Sequence, residues 1–224
     1  AKRMYKAYRH GLQPATHCIG DKALEVTLDA VEYCLEQGLK DGMTPEEQAK
    51  RLPFRIIHAQ MATPELIERM KKLPIVLDIQ PTFLMTDLHW IEERVGKERA
   101  VLSYPWKTYL DAGLIMAGGS DAPVESFNPW IGIYATVTRQ DMDGYPVDGY
   151  HPNEKVSVYD AVCMYSKNVA YANGDQDLMG TIEAGKFADM VVIDRDIFHI
   201  PENDIKDIQV LNSYMAGIER YHRD

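Results

Sequence analysis

The sequence predicts an α/β fold in which β-strands and α-helices alternate. Short apolar runs of strand length recur along the first half of the chain, and segments with helix-start signals lie between them. The connections are short, and such an alternation produces parallel strands joined by right-handed crossovers. Folds of this type bind their ligands at the carboxyl ends of the strands. Functional residues are therefore expected at that edge.

The composition narrows the classes of function. The 224 residues suffice for one large domain or two modest ones, and the formal net charge of -10 argues against nucleic-acid binding. No apolar run approaches the roughly 20 residues of a membrane span, and the basic start at Lys2 and Arg3 lacks the apolar stretch of a signal peptide. The 3 cysteines are widely spaced, which predicts free thiols in a reducing compartment and a cytoplasmic location.

The first βα unit follows a short predicted helix. That helix covers Met4–His10, and a strand is predicted over Leu12–His17. A longer helix opens at Asp21 and ends near Gly38. Its apolar residues recur at the spacing of one core-facing stripe. The stripe consists of Leu24, Leu28, Val31 and Leu35.

Three further strands are predicted up to residue 118. They cover Phe54–His58, Ile75–Gln80 and Leu114–Gly118. The segment Thr63-Pro64-Glu65 starts the helix after the second strand, with a capping hydroxyl, a proline at the first helical position and an acid in the first turn. A helix over Ser103–Ala112 precedes the fourth strand.

A long segment after the fourth strand allows two interpretations. Glu125–Asn153 is rich in glycine, proline and aromatic residues. A loop of this length near a site is typical of a lid or a substrate wall. A helix over Pro129–Arg139 followed by a surface loop fits the same residues equally well. Beyond it, Ser157 forms a capping box with Asp160 and starts a helix predicted over Val158–Tyr171.

The pattern changes to β-structure near Met179. The turn-rich stretch Gly180–Asp189 leads into a strand over Met190–Ile193, and Val210–Met215 with Ile218–Tyr221 predicts a terminal hairpin. The boundary is placed after residue 178, so that residues 179–224 form a separate β segment. This segment is too short to be a stable sheet domain alone.

Three side chains that can bind metal fall at the ends of predicted strands: His17, His58 and Asp121. Imidazole and carboxylate groups are ligands for a hydrolytic metal such as zinc, and equivalent strand ends converge on one face. Asp121 could also take a proton from a water activated by the metal. Plainer interpretations stay open, since each histidine could serve packing and Asp121 could cap its loop.

Two residues near the candidate site are assigned lesser roles. Cys18 follows His17 directly, and because side chains alternate along a strand it should point away from the face of His17. We predict a structural role for it. His89 lies beside Asp87 and Trp90 after the third strand. It either faces the site or belongs to a surface loop.

Five stretches occur in a defined order along nearly the whole chain: His17-x-x-Gly20-Asp21, Arg55–Gln60, Gln80-Pro81, Gly119–Val124 and Gly180–Asp189. This ordered set resembles the amidohydrolase superfamily, in the amidohydrolase-3 or YtcJ-like branch that includes N-substituted formamide deformylases. The most specific parts of this set are Gly119–Val124 and Gly180–Asp189.

The resemblance implies a (β/α)8 barrel with one or two divalent metal ions, usually zinc, and an accessory β-sandwich. His17 matches the metal ligand of barrel strand five and His58 that of strand six. Asp121 matches the ligand and general base of strand eight, and Gln80 lies near the substrate at the end of strand seven. The implied reaction is attack of metal-bound hydroxide on a non-peptide carbon–nitrogen bond, in an amide or a formamide.

The sequence departs from the family pattern at the remaining ligands. It has 7 histidines but no His-x-His pair, and it begins just before the strand that matches barrel strand five. We therefore expect the C-terminal half of such an enzyme, a partial barrel with a short sandwich tail. The alternatives are a non-catalytic structural fragment, and a deaminase or cyclic amidase of the same superfamily.

The expected partners follow from the partial barrel. A small-molecule substrate is expected, with no nucleic acid and no membrane. Four parallel strands outside a closed barrel leave unpaired edges, which are usually covered by another chain. We therefore expect a homo-oligomer, or association through the exposed barrel edges.

Overall fold

The computed structural model describes residues 1–224, which divide into two compact units. The first unit comprises Ala1–Ile79 and Val95–Met116, and the second comprises Gln80–Arg94 and Ala117–Asp224. Helices and strands alternate through most of the chain, so the fold is of the mixed α/β type that the sequence predicts. The boundary proposed after residue 178 falls inside the second unit and stays a prediction.

Seven strands form two sheets. In chain order they are β1 (Ala15–Cys18), β2 (Phe54–His58), β3 (Ile75–Ile79), β4 (Met116–Gly118), β5 (Met190–Ile193), β6 (Val210–Met215) and β7 (Ile218–His222). The first sheet has the order β1-β2-β3-β4 and the second the order β5-β6-β7. The predicted terminal hairpin is therefore confirmed as β6 and β7, which pair antiparallel.

Eleven α-helices accompany the strands. They are α1 (Lys2–Arg9), α2 (Asp21–Lys40), α3 (Pro45–Ala49), α4 (Pro64–Met70), α5 (Thr82–Asp87), α6 (Ile91–Val95), α7 (Lys97–Ala100), α8 (Trp106–Asp111), α9 (Pro129–Thr138), α10 (Val158–Met164) and α11 (Lys167–Asn173). Two 3-10 helical turns cover Pro152–Glu154 and Glu202–Asp207. None of the helices is long and apolar enough to cross a membrane.

The first sheet is parallel and its central strands are buried. Ala15 pairs with Arg55 where β1 runs beside β2, and Phe54 pairs with Ile75 where β2 runs beside β3. All five residues of β3 are buried. Parallel strands covered on both faces read as continuous apolar runs, which is why this strand is visible in the sequence.

The core of the first unit lies between α2 and the sheet. Helix α2 contacts both β1 and β2, and the predicted stripe residues Leu24, Leu28 and Val31 are fully buried. Helix α1 packs against α2. The ring of Tyr8 stacks on Phe54, the first residue of β2, with 4.9 Å between ring centroids.

The core of the second unit is formed by α9, α10 and the 3-10 turn over Glu202–Asp207. Its buried members are Ile133, Tyr134, Val137, Ala161, Ile197, Ile205 and Ile208. Helix α9 confirms that part of Glu125–Asn153 is helical. The chain after α9 is held by side chains, since Tyr134 Oη donates to the Asp141 carbonyl at 2.8 Å and Gln140 Nε2 donates to the Val147 carbonyl at 2.6 Å.

The prediction of one helix over Val158–Tyr171 is wrong, because the structure has α10 and α11 with a break at Tyr165 and Ser166. The Tyr165 ring packs against two glycines. A Cβ built on Gly118 would lie 2.6 Å from the ring, and one built on Gly132 would collide with its hydroxyl. Ser166 Oγ bonds back to the Val162 carbonyl at 2.7 Å, which helps to end the helix.

Candidate functional site

The carboxyl ends of β1 and β2 bring His17 and His58 together. His17 is exposed and His58 is buried. His17 Nδ1 and His58 Nε2 lie 2.9 Å apart, and the two rings meet edge to face with 4.4 Å between centroids. One ring nitrogen donates a hydrogen bond to the other. The two imidazoles that the sequence places at separate strand ends thus form one pair in the first unit.

The backbone leaves β2 through an unusual conformation. His58 has φ 71° and the next residue, Ala59, has φ 46°, so two consecutive residues with a Cβ adopt the left-handed region. Such residues cost about 1–3 kcal/mol each and cluster at functional sites. The turn redirects the chain where the His58 side chain meets His17.

Two tyrosines secure this strained turn, and both were missed by sequence reasoning. The buried hydroxyl of Tyr109 donates to the Ala59 carbonyl at 2.8 Å, and the backbone N–H of Tyr104 donates to the Gln60 carbonyl at 2.7 Å. Each contact joins residues more than forty positions apart, and no local pattern of the sequence indicates it. Tyr104 and Tyr109 therefore hold the backbone of the two residues that follow His58.

Asp121 and Gln80 belong to the second unit. Asp121 is exposed and has φ 55°, and its carbonyl accepts the N–H of Val124 at 2.9 Å, which closes a tight turn after β4. Aspartate tolerates this conformation better than most residues. Gln80 is buried and directly follows β3. Both thus lie at strand ends, as the sequence predicts.

The donor set fits a divalent metal in its chemistry. The structure contains no group of three or more His, Cys, Asp or Glu side chains that could hold a metal ion. Two nitrogens bound tetrahedrally to one zinc ion at about 2.0–2.1 Å are separated by roughly 3.3 Å. The 2.9 Å between His17 Nδ1 and His58 Nε2 is a hydrogen-bond distance and is shorter than that separation. The pair could supply two of the ligands of one ion if this hydrogen bond were broken and both nitrogens turned toward the metal.

The other residues near these strand ends have structural roles. Cys18 Sγ lies 3.1 Å from Thr27 Oγ1 of α2, and burial raises the pKa of the thiol. The thiol thus packs against α2, and the structural role stays a prediction. Arg55 Nε bonds Asp78 Oδ2 at 2.6 Å between β2 and β3. Burial raises the pKa of Asp78, and the Arg55 guanidinium opposes that rise.

His89 belongs to the second unit. Its Nε2 lies 3.0 Å from Asp141 Oδ2, and its ring stacks on Tyr145 with 5.7 Å between centroids. The sequence left open whether His89 is a loop residue. The structure gives it defined partners in the segment after α9, and it lines a cavity there.

The chain is similar to known proteins along nearly all of its length. A model of the amidohydrolase family, Amidohydro_3, matches residues 1–221. "Putative amidohydrolase YtcJ" of Bacillus subtilis is 34% identical over 213 residues, which cover 95% of this chain and 38% of that protein. The N-substituted formamide deformylase of Arthrobacter pascens is 31% identical over 220 residues, which cover 97% of this chain and 38% of that enzyme.

A solved structure shares the fold. An uncharacterized metal-dependent hydrolase from Pyrococcus furiosus is 32% identical with a TM-score of 0.71, and the match covers 88% of this chain and 36% of that one. The chain thus spans well under half the length of the relatives that it matches.

Proposed function

Because this chain belongs to the amidohydrolase family, we propose that it carries metal-binding and proton-transfer residues of a hydrolase that cleaves non-peptide carbon–nitrogen bonds. The observation that carries the proposal is the pairing of His17 with His58 at the ends of β1 and β2. The proposed substrate class is an amide or a formamide. A deformylase among the relatives supports that class.

The finer proposal concerns the architecture. We propose that β1 to β4 correspond to strands five to eight of a (β/α)8 barrel, and that the segment with β5 to β7 belongs to an accessory β-sandwich. The parallel order β1-β2-β3-β4 supports it, since a barrel places successive strands side by side. Association through the strand edges of this sheet is part of the same proposal.

In this proposal His17 and His58 hold a divalent ion, zinc being the proposed metal. Such an ion, when bound, polarises a carbonyl and lowers the pKa of a coordinated water toward about 7. His58 is fixed by its buried position and by the turn that Tyr109 secures, so that it is oriented before a ligand arrives. Such fixed orientation of a ligand strengthens a metal site.

Asp121 is the proposed general base. Its carboxylate accepts a proton from the attacking water and returns it to the leaving nitrogen, which must leave as a neutral amine. The left-handed turn at Asp121 keeps the side chain exposed rather than buried in the sheet. Gln80, at the end of β3, is proposed to orient the substrate through its side-chain amide.

Turnover of amide substrates tests this proposal. The complete protein, loaded with zinc, is assayed against amides, formamides, cyclic amides and aminopurines. We expect amide or formamide hydrolysis, and Asp121→Asn should lower kcat by about 10²–10⁴-fold because it removes the general base. Asp111→Asn, an exposed aspartate in α8, is the matched control and should leave kcat unchanged.

Two outcomes would contradict the proposal. Full turnover in Asp121→Asn would refute the role of Asp121 as base. Turnover of aminopurines or cyclic amides alone would transfer the protein to the deaminase or cyclic amidase alternative. A protein inactive on the whole panel and without bound metal would support a non-catalytic role.

A further inference from the structure

Gln60 ends the stretch Arg55–Gln60, and the proposed chemistry gives it no role. It lies two residues after His58, and its side chain is buried. Its Nε2 donates a hydrogen bond to the hydroxyl of Tyr104, a buried residue 44 positions later in the chain. The backbone carbonyl of Gln60 also accepts the N–H of Tyr104 at 2.7 Å. These two hydrogen bonds form a clamp between Gln60 and Tyr104.

The segment that contains Tyr104 supports the chain that follows His58. Beside the clamp, Met61 forms an antiparallel bridge with Ser103. The buried ring of Trp106 meets the Tyr104 ring edge to face, with 5.5 Å between centroids. All of these residues belong to the first unit. The Tyr104 side of the clamp is therefore anchored in the core of that unit.

Both sides of the clamp have a left-handed backbone. His58 and Ala59 adopt this region just before Gln60, and Tyr104 itself has φ 54°. Residues with a Cβ are unfavourable in this conformation and persist only where surrounding contacts hold them. Because the clamp joins the two strained segments, we expect each of them to stabilise the other.

Gln60 also contacts the end of the neighbouring strand. Its backbone N–H donates a long hydrogen bond of 3.5 Å to the carbonyl of Cys18, the last residue of β1. Cys18 directly follows His17. The backbone of Gln60 thus connects the two strand ends that carry His17 and His58.

We propose that Gln60 is a positioning residue for His58. Through its clamp with Tyr104 it fixes the left-handed turn and thereby keeps the His58 ring beside His17. The clamp acts on the backbone, so the ring can still turn about its own side-chain bonds when a metal ion replaces the hydrogen bond to His17. Resting on the hydrolase function proposed above, Gln60 strengthens the metal site by orienting one of its ligands.

The test records the ring nitrogens of His17 and His58 by long-range ¹H–¹⁵N correlation NMR in the metal-free protein at pH 7, followed by zinc affinity. Gln60→Leu removes the amide at nearly the same volume, and Tyr104→Phe removes the hydroxyl but keeps the ring. Each should move the His58 signals and weaken zinc binding about tenfold. The double variant should be no worse than either single one, because both changes remove the same hydrogen bond.

Gln48→Leu and Tyr8→Phe are the matched controls, since they make the same chemical changes elsewhere in the first unit. Gln48 Nε2 donates to the Leu35 carbonyl at 2.9 Å, and the buried hydroxyl of Tyr8 has no hydrogen-bond partner. Both controls should leave the His58 signals unchanged and alter zinc affinity by less than twofold. This result would separate positioning of His58 from a general loss of stability.

The imidazole signals decide the inference independently of zinc. Unchanged His58 signals in Gln60→Leu and Tyr104→Phe, or equal changes in the controls, would overturn it, and Tyr104→Phe alone decides if Gln60→Leu does not fold. A wild type that binds no zinc would contradict the proposed metal site while the signals still test the clamp. Zinc binding by the wild type with unchanged signals in both variants would overturn the inference alone.

Discussion

The two sheets of the molecule use β-structure in opposite ways. In the parallel sheet every residue of β3 is buried, and the candidate site residues lie where the strands end. In the antiparallel sheet every residue of β7 is exposed, and Val191 and Val192 of β5 are 52% and 43% exposed. The first sheet is a core element with chemistry at its ends, whereas the second contributes little buried surface within this chain.

The comparison teaches that apolar sequence alone does not identify a core. The run MVVI in β5 is as apolar as IVLDI in β3, yet only the second is buried. Burial depends on what covers the faces of each sheet, and free energy follows buried area. Stability and metal chemistry are therefore both expected to belong to the parallel sheet.

The largest expected difference comes from truncating one apolar residue in each sheet. Leu77 of β3 is fully buried, and Leu77→Ala should lower the free energy of unfolding by about 3 kcal/mol, since it removes packed atoms and leaves a cavity. Val191→Ala in β5 should change it by less than about 0.5 kcal/mol. Urea denaturation of both variants, followed by circular dichroism, measures the difference. Equal losses would break the comparison.

Removing an ion pair should also lower the free energy of unfolding more in the parallel sheet than near the antiparallel sheet, although the difference is smaller. Arg55→Ala leaves Asp78 poorly compensated in the parallel sheet, and we expect a loss of about 2–3 kcal/mol. Arg195→Ala removes the more exposed pair with Asp194, just after β5, and should cost clearly less than Arg55→Ala because solvent screens an exposed pair. Denaturation curves at pH 7 and low salt provide the measurement. A larger loss for Arg195→Ala would reverse the assignment of the core.

The smallest effect concerns pH and Cys34, a fully buried residue of α2. Burial raises the pKa of its thiol from 9.0 to about 11. The folded chain therefore keeps a proton that the unfolded chain releases, and the stability that this proton contributes is present below pH 9 and is lost as pH rises toward about 11.

Denaturation midpoints measured between pH 8 and pH 10.5 check this effect. The midpoint should fall with pH, and Cys34→Ala should make the fall shallower than in the wild type. An identical pH dependence in the two proteins would show that Cys34 does not titrate as proposed.

Much of the fold could be predicted because its signals are local. The bounds of β2, β5 and β6 agree with the sequence prediction, since apolar runs and turn residues mark them. The break after α10 could not be predicted, because it depends on Tyr165 packing against Gly118 and Gly132, which are distant in sequence. Periodicity reports which face of a helix is apolar, not what that face will meet.

The candidate site, too, could be predicted from the sequence only in part. The predicted strand ends put His17 and His58 at one edge of the parallel sheet. In the structure His17 Nδ1 and His58 Nε2 lie 2.9 Å apart. The left-handed backbone at His58 and Ala59 and the support from Tyr109 could not be predicted, because both arise from contacts between separate segments. The sequence indicates which groups carry chemistry, and long-range packing determines how they are oriented.

The measurement that tests the central claim most directly is zinc bound per molecule of the complete protein, by equilibrium dialysis and elemental analysis. We predict near-stoichiometric zinc in the wild type, a loss of at least tenfold in affinity in His17→Ala and in His58→Ala, and no change in His10→Ala, an exposed histidine outside the pair. Zinc binding that is the same in all four proteins would contradict the claim that His17 and His58 hold the metal.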